Sequence, residues 1–150
     1  MKNIGFTGTR YGMTPHQRMR VLLEVEREAD DSMGIMGHHG DCIGADAQFH
    51  EIIRMFPFGH VVGHIPTNDE HRARCVFDEE RPPLPYMKRN AAIVAAANVM
   101  IAAPFEMTEQ ERGGTWRTIK LARLARKPIS IVLPDGSLLE DPLSTKAVKP

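Results

Sequence analysis

Two glycines and a threonine, Gly113-Gly114-Thr115, stand between a strand-like run, Val99-Met-Ile-Ala-Ala103, and a helix-forming stretch from about Thr115 to Arg126. Paired glycines let the backbone come close to a ligand. The first N–H groups of the helix point outward with partial positive charge. This order of residues suits a phosphate, and a glycine turn that only starts a helix has the same local pattern. A second anion-binding pattern follows the first strand. In Gly8-Thr9-Arg10-Tyr11-Gly12 the guanidinium can grip a phosphate or carboxylate with two hydrogen bonds, and Thr7 and Thr9 offer hydroxyls. Gly5, Gly8 and Gly12 are wrongly spaced for the dinucleotide fingerprint, and no cofactor is expected.

Further polar clusters surround these two. His38-His39-Gly40-Asp41-Cys42-Ile43-Gly44-Ala45-Asp46 is dense in potential ligands, with His50 four residues beyond Asp46 on the same helical face. A metal set of His38, Asp41, Asp46 and His50 is conceivable, but no strong metal pattern is present and none is expected. Asp41 and Asp46 read instead as helix caps or partners of ligand hydroxyls. Tyr86-Met-Lys-Arg-Asn90 opens a helix, where Lys88 and Arg89 can reach a phosphate and Asn90 a hydroxyl or base. Glu106, Glu109 and Glu111 flank the glycine turn. They are solvated loop acids by default, and Glu109 and Glu111 are the weak candidates for a general base. Arg117, Lys120, Arg123 and Lys127 approximate one basic face, a solvated surface or a contact for single-stranded DNA. Trp116 reads as core.

The elements that must position these groups alternate. Asn3–Thr7 reads as a strand. Thr14-Pro15-His16-Gln17 opens a helix with a capping box, and Leu22, Val25, Ala29 and Met33 keep one apolar face as far as Gly34. Ile35–His38 is a strand, Gly40–Gly44 a turn, Ala45–Met55 a helix and His60–Ile65 a strand. Pro66–Pro85 reads as irregular, with a short helix over Asp69–Phe77, because its prolines exclude continuous helix. A helix over Tyr86–Ala97, the strand Val99–Ala103, the loop Pro104–Gly114, the last helix and a strand Ile129–Leu133 follow. The pattern predicts an α/β, doubly wound, mainly parallel sheet of five or more strands with helices on both faces. One domain is expected over residues 1–150, with its core in 3–133 and a peripheral tail in 134–150. With strand order 3-2-1-4-5, the loops Gly8–Met13, His38–Gly44 and Pro104–Gly114 converge beyond the carboxyl ends of the strands, where such folds bind ligands.

Bulk properties narrow the partners. Lys and Arg total 19, as do Asp and Glu, so no global charge draws the chain to nucleic acid or membrane. Two cysteines, Cys42 and Cys75, make neither a zinc pattern nor a disulfide scaffold. The start, Lys2 followed by Ile4-Gly-Phe-Thr-Gly8, lacks a signal-peptide core, and no run is apolar enough to cross a bilayer. A cytoplasmic setting with no membrane partner is the expectation.

Four motifs in order resemble the SLOG superfamily: Gly5-Phe-Thr-Gly-Thr-Arg10, His39-Gly-Asp-Cys-Ile-Gly-Ala-Asp-Ala-Gln-Phe-His50, Arg89-Asn90 and Gly113-Gly114-Thr115. This Rossmann-like group includes the DNA-processing protein Smf/DprA and the Lonely Guy (LOG) phosphoribohydrolases. The chain is most similar to small stand-alone members of bacteria and phages. The resemblance implies a nucleotide-like phosphorylated ligand bound by Gly8, Thr9, Arg10, Gly44, Asp46, Arg89, Asn90, Gly113, Gly114 and Thr115, with Asp41 and His50 behind them. It also implies a homo-oligomer. Binding, as a sensor or a sequestering protein, is favoured over turnover. LOG enzymes carry Pro-Gly-Gly-x-Gly-Thr-x-x-Glu, and Thr118 stands here in place of that glutamate. Nucleoside 5′-monophosphate hydrolysis would then need an acid near the sugar from Glu106, Glu109 or Glu111, with Glu109 and Glu111 the weak candidates to replace that glutamate. DprA-like binding of single-stranded DNA is the remaining alternative.

Overall fold

The computed structural model describes residues 1–29 and 34–140. In chain order the elements are β1 (Lys2–Gly8), α1 (Pro15–Ala29), β2 (Ile35–His39), α2 (Ala45–Arg54), β3 (Gly59–Pro66), β4 (Glu79–Leu84), α3 (Tyr86–Ala96), β5 (Val99–Ala103), α4 (Gly114–Leu124) and β6 (Ile129–Ile131). All six strands are parallel, in the order β4-β3-β2-β1-β5-β6. The order reverses at β1, and the crevice between the β1 and β5 loops lies at that switch point. The α/β doubly wound architecture is as the alternation of elements predicts. No helix among the described residues is long and apolar enough to cross a membrane.

Period-2 alternation divides the core into two layers. Ile4, Phe6, Ile35, Val61, Val99 and Ile101 pack with Val21, Val25, Phe49 and Ile53 of α1 and α2. On the other face Met100, Ala102, Ile129 and Ile131 pack with Ile93, Val94, Trp116 and Ile119 of α3 and α4. Phe6 and Phe49 stack with ring centres 4.5 Å apart. Gly5, inside β1, makes room for α3: a Cβ there would lie 2.4 Å from the Met100 sulfur and 2.9 Å from Ala97 Cβ.

The capping box at α1 forms in both directions. Gln17 N–H donates to Thr14 Oγ1 at 3.0 Å, and Thr14 N–H to Gln17 Oε1 at 3.2 Å. Gln17 is also buried, and its Nε2 donates to the carbonyls of Pro104 (2.8 Å) and Val132 (2.9 Å). One side chain thus starts a helix and fixes the backbone just after β5. Met33, read as the end of the apolar stripe of α1, lies outside the described residues.

The segment read as irregular holds the main correction. Glu79–Leu84 is a sixth strand, and residues 69–77 contain no helix. β4 pairs only with β3 and sits at the edge, and its register with β3 shifts between His64 and Pro66, opposite Pro82 and Pro83, so that the edge and this irregularity together accommodate their missing N–H groups. Residues 67–78 are extended loop instead of helix because their polar groups bond to other parts of the chain. Ile43 N–H donates to His71 O, Ala73 N–H to Asp41 O, and Cys42 and Arg72 form an antiparallel bridge. The last strand is shorter than expected, and Leu139 N–H donates to Ile131 O, which brings the first part of the tail back onto β6.

Candidate functional site

The loops after β1, β2 and β5, the start of α3 and the segment 67–78 enclose one cavity of about 810 Å³ at the carboxyl edge of the sheet. That volume is in the range of small-molecule sites. Of the residues the sequence singles out, Gly8, Thr9, Arg10, Asp41, Asp46, Arg89, Asn90, Gly113, Gly114 and Thr115 line it. Gly44, His50, Glu109 and Glu111 do not.

The β1–α1 turn is held from below. Thr9 N–H donates to Ala103 O at 3.0 Å, and Thr9 O accepts from Gly12 N–H and Ala45 N–H. Tyr11 N–H donates to Thr9 Oγ1 at 3.2 Å. Arg10 extends from this turn with its guanidinium 5.3 Å from the Tyr11 ring centre and Nη1 3.3 Å from His71 Nε2. Gly8 is needed for packing, since a Cβ would lie 2.6 Å from Ala45 Cβ.

In the β2–α2 loop two carboxylates five residues apart have different surroundings. Asp41 is fully buried with φ +59°. It accepts from Arg72 Nε at 2.7 Å and from Cys75 N–H at 2.9 Å, which ties the segment 67–78 to this loop. Both its oxygens are committed, so Asp41 is a clamp. Asp46, 6 % exposed, accepts from Gly40 N–H (3.2 Å) and Cys42 N–H (3.1 Å), both through Oδ2. Its Oδ1 has no partner among the described residues, and no buried side-chain oxygen lacks one, so Oδ1 opens on the cavity. Burial pushes its carboxyl up to about 6, with Arg89 pulling it back. Gly44 serves the backbone: with φ +90°, a Cβ there would lie 2.3 Å from Arg10 O.

Arg89, at the start of α3, reaches over β2 and β3. Nη1 donates to Gly40 O (2.6 Å) and His64 O (3.2 Å), and Nε to Asn90 Oδ1 (2.7 Å). Its guanidinium lies 5.4 Å from the Tyr86 ring centre. Nη2 makes no hydrogen bond among the described residues and is left to the cavity.

At the β5–α4 loop the helix begins without a side-chain cap, on Gly113 with φ +101°. A Cβ on Gly113 or Gly114 would meet nothing within 4 Å. Gly114 has neither a positive φ nor a close neighbour to require glycine, so its backbone is open to the cavity. Trp116 is core, as expected, and its Nε1 donates to Glu106 at 2.9 Å. Thr118 is buried and donates its hydroxyl to Gly114 O at 2.8 Å, so it presents no acid–base group. Glu109 is held outside the cavity by Arg123, and Lys120 donates to the Glu111 carbonyl. The face read as basic is thus partly neutralised within the chain.

The histidines form hydrogen-bond relays on opposite faces of β2. Asp41 N–H donates to His39 Nδ1 (2.9 Å), which puts the ring proton on Nε2, facing His50 Nδ1 at 2.9 Å. His50 in turn bonds the Val76 backbone. The ligand atoms of His39, His50 and Cys75 lie within 4.8 Å of one another, but this tautomer leaves no lone pair on His39 Nε2 for a metal. On the other face Asn3 Oδ1 accepts from His38 Nε2 (2.8 Å), and His38 Nδ1 faces His64 Nε2 at 2.9 Å. His38 is therefore on the wrong side of the sheet to join Asp41, Asp46 and His50. Burial lowers all four histidines. It raises the thiols of Cys42 and Cys75 to about 11 and about 12, and neither is a poised nucleophile.

Sequence reasoning missed Asn68, Glu70, His71 and Phe105, which also line the cavity. The first three lie in the segment read as irregular, with no local signal that it folds back over the site. Phe105 had one signal, an aromatic directly after the strand that ends at the switch point.

No protein-family model and no curated protein matches this chain by sequence. Solved structures that resemble it include the following two. One is described as a molybdenum cofactor binding protein from the phototrophic bacterium Rippkaea orientalis. It has a TM-score of 0.67 and 21% identity, with 88% of this chain and 76% of that one covered. The other is the structural-genomics target TM1055, with a TM-score of 0.60 and 21% identity, and with 86% and 72% covered. At this identity the likeness concerns the fold: the chain shares a Rossmann-like α/β architecture with both.

Proposed function

We propose that this chain binds a phosphorylated, nucleotide-like small molecule in the cavity, as a SLOG-type domain. The observation that carries this reading is Gly114. It opens an uncapped helix onto the cavity, and neither its conformation nor its neighbours need glycine there. A phosphate would accept from the first N–H groups of α4 and pair with Arg10 and Arg89 Nη2. Asp46 Oδ1 would accept from a ligand hydroxyl or ring N–H. The cofactor-binding description of one structural neighbour agrees with a small-molecule site of this kind. A cytoplasmic setting and a homo-oligomer belong to the same reading through the resemblance. Single-stranded DNA is less favoured, because Arg123 and Lys127 are engaged by Glu109 and the Ala97 carbonyl.

The test is a thermal-shift panel of nucleoside mono-, di- and triphosphates, with chromatography of each mixture. At least one nucleotide well above its dissociation constant is expected to raise the Tm, and Arg10→Ala to reduce that shift. Stabilisation by none of them, or a shift unchanged in Arg10→Ala, would refute the reading.

A second reading, N-glycosidic hydrolysis, gains from Asp46 rather than from Glu109 or Glu111. Asp46 is a cavity carboxyl with one free oxygen and a pKa near neutrality. As carboxylate it would take a proton from the water that attacks C1′, and that proton would pass on to the nitrogen of the departing base as the C1′–N bond breaks, leaving free base and ribose 5-phosphate. Free base in the chromatogram, abolished in Asp46→Asn and rising with pH through about 6 in the unaltered chain, is the expected signature.

A further inference from the structure

Two aromatic side chains stand at the cavity outside the hydrophobic core. Tyr11, 69 % exposed, comes from the loop after β1, and Phe105, 58 % exposed, from the loop after β5. Both line the cavity, and they face one another across the switch point with ring centres 5.3 Å apart and planes tilted by 60°. At that tilt the two rings are not stacked on one another. Neither belongs to either hydrophobic core cluster.

Their backbones are nonetheless held firmly. Tyr11 sits in the turn closed by the Thr9 hydroxyl and carbonyl. Phe105 follows Pro104, whose carbonyl accepts from the buried Gln17. Isolated exposed aromatics need no explanation. Two in mutual contact, on fixed loops of different strands and at the mouth of a polar cavity, form a preorganised apolar surface. Arg10 lies against the Tyr11 ring and brings a cation to the edge of that surface. An anionic group and a flat ring in one ligand would therefore meet adjoining partners here.

We propose that Tyr11 and Phe105 are the specificity-determining platform on which the planar heteroaromatic ring of the ligand stacks. This rests on the reading of the cavity as a site for a phosphorylated, nucleotide-like molecule. Arg10, Arg89 and the first N–H groups of α4 bind the phosphate and Asp46 a hydroxyl, and the platform distinguishes a base-bearing ligand from a bare sugar phosphate. Stacking on an aromatic tolerates any base, so the platform selects for a ring rather than for one nucleobase.

Calorimetric titration of the full chain with AMP, GMP and ribose 5-phosphate tests this. The unaltered chain is expected to bind at least one nucleotide more tightly than ribose 5-phosphate, by about ten- to a hundredfold. Tyr11→Ala and Phe105→Ala should remove most of that margin, and Phe105→Ala, which leaves the hydrogen bond from Arg10 Nη2 to the Tyr11 hydroxyl in place, should leave the ribose 5-phosphate affinity unchanged. Phe105→Trp should restore it. Both positions are exposed, and an unchanged Tm verifies that each variant folds. Nucleotide affinity unchanged in both alanine variants overturns the platform while leaving the phosphate site standing. Equal affinity for nucleotide and ribose 5-phosphate in the unaltered chain does the same. Binding of no probe overturns the platform and the phosphate site together. A variant that alters sedimentation but not nucleotide affinity overturns it in favour of contact between two copies.

Discussion

The β2–α2 loop and the β5–α4 loop both open a helix on glycine, Gly44 in one and Gly113-Gly114 in the other. In the first, glycine is demanded by the protein itself, because Arg10 O would lie 2.3 Å from a Cβ. In the second, nothing stands within 4 Å of a Cβ at either position. The same contrast divides the two buried aspartates. Asp41 spends both oxygens on Arg72 and Cys75, whereas Asp46 keeps one for the cavity. One side of the site is thus a saturated wall that holds its shape. The other is left incomplete, where a ligand would finish it. Among the described residues no buried side-chain nitrogen or oxygen lacks a partner, so the groups without a protein partner are those that open on the cavity, where the proposed ligand would bind.

The largest expected effect is at Gly44. Gly44→Ala combines a backbone clash with a positive φ and should cost more than about 3 kcal/mol in chemical denaturation. A loss below 1 kcal/mol would break the contrast at its strongest point. Asp41→Asn comes next, at about 3 kcal/mol, because it removes the charge that pairs with the largely buried Arg72.

Acidification is the third. His38, His39, His50 and His64 all have folded pKa values below the ordinary value near 6.5. The unfolded chain therefore binds more protons. The contribution of these histidines is full above 6.5 and is lost as pH falls through about 4, the value for His38, and on toward about 3, the value for His64. Tm measured from pH 7.5 to 4 should decline through that window, and less so in a His64→Gln variant.

Asp46 has the opposite sign. Its folded pKa, about 6, lies above the unfolded value, so its contribution is present below about 3.8 and is lost as pH rises through 6. At pH 8, Asp46→Asn should be more stable than the unaltered chain by about 1–3 kcal/mol, with an advantage that vanishes by pH 4. A destabilised Asp46→Asn at pH 8 would place Asp46 with Asp41 as a structural clamp. The smallest effect on stability is at Gly114. Gly114→Ala should stay within about 1 kcal/mol of the unaltered chain and still lose nucleotide-induced stabilisation. Were it to destabilise like Gly44→Ala, the two loops would not differ in kind.

The sheet was largely legible because its signals are local and repeated. Short apolar runs such as Val99–Ala103, the Thr14–Gln17 capping box and the doubly wound rule together anticipated five strands and their order. β4 was not legible, because Pro82 and Pro83 are tolerated in a strand only at an edge or an irregular register, and both are properties of the whole sheet. The candidate site was legible where glycine and arginine follow a strand, as at Arg10 and Gly113–Thr115. The wall carrying Asn68, Glu70 and His71 was hidden, since it rests on Asp41, more than twenty residues away in sequence.

The sequence by itself determined the alternation of strands and helices, and hence which loops meet at one edge of the sheet. It also marked the residues able to bind an anion there, since short-range chemistry and period suffice for both. Only the tertiary structure decided which glycine answers to the protein and which stands open, which aspartate is consumed and which retains a free oxygen, and which histidines are locked into relays. Those distinctions depend on what each atom touches across the fold. Contacts between distant residues, unlike period and capping, leave no trace in neighbouring letters.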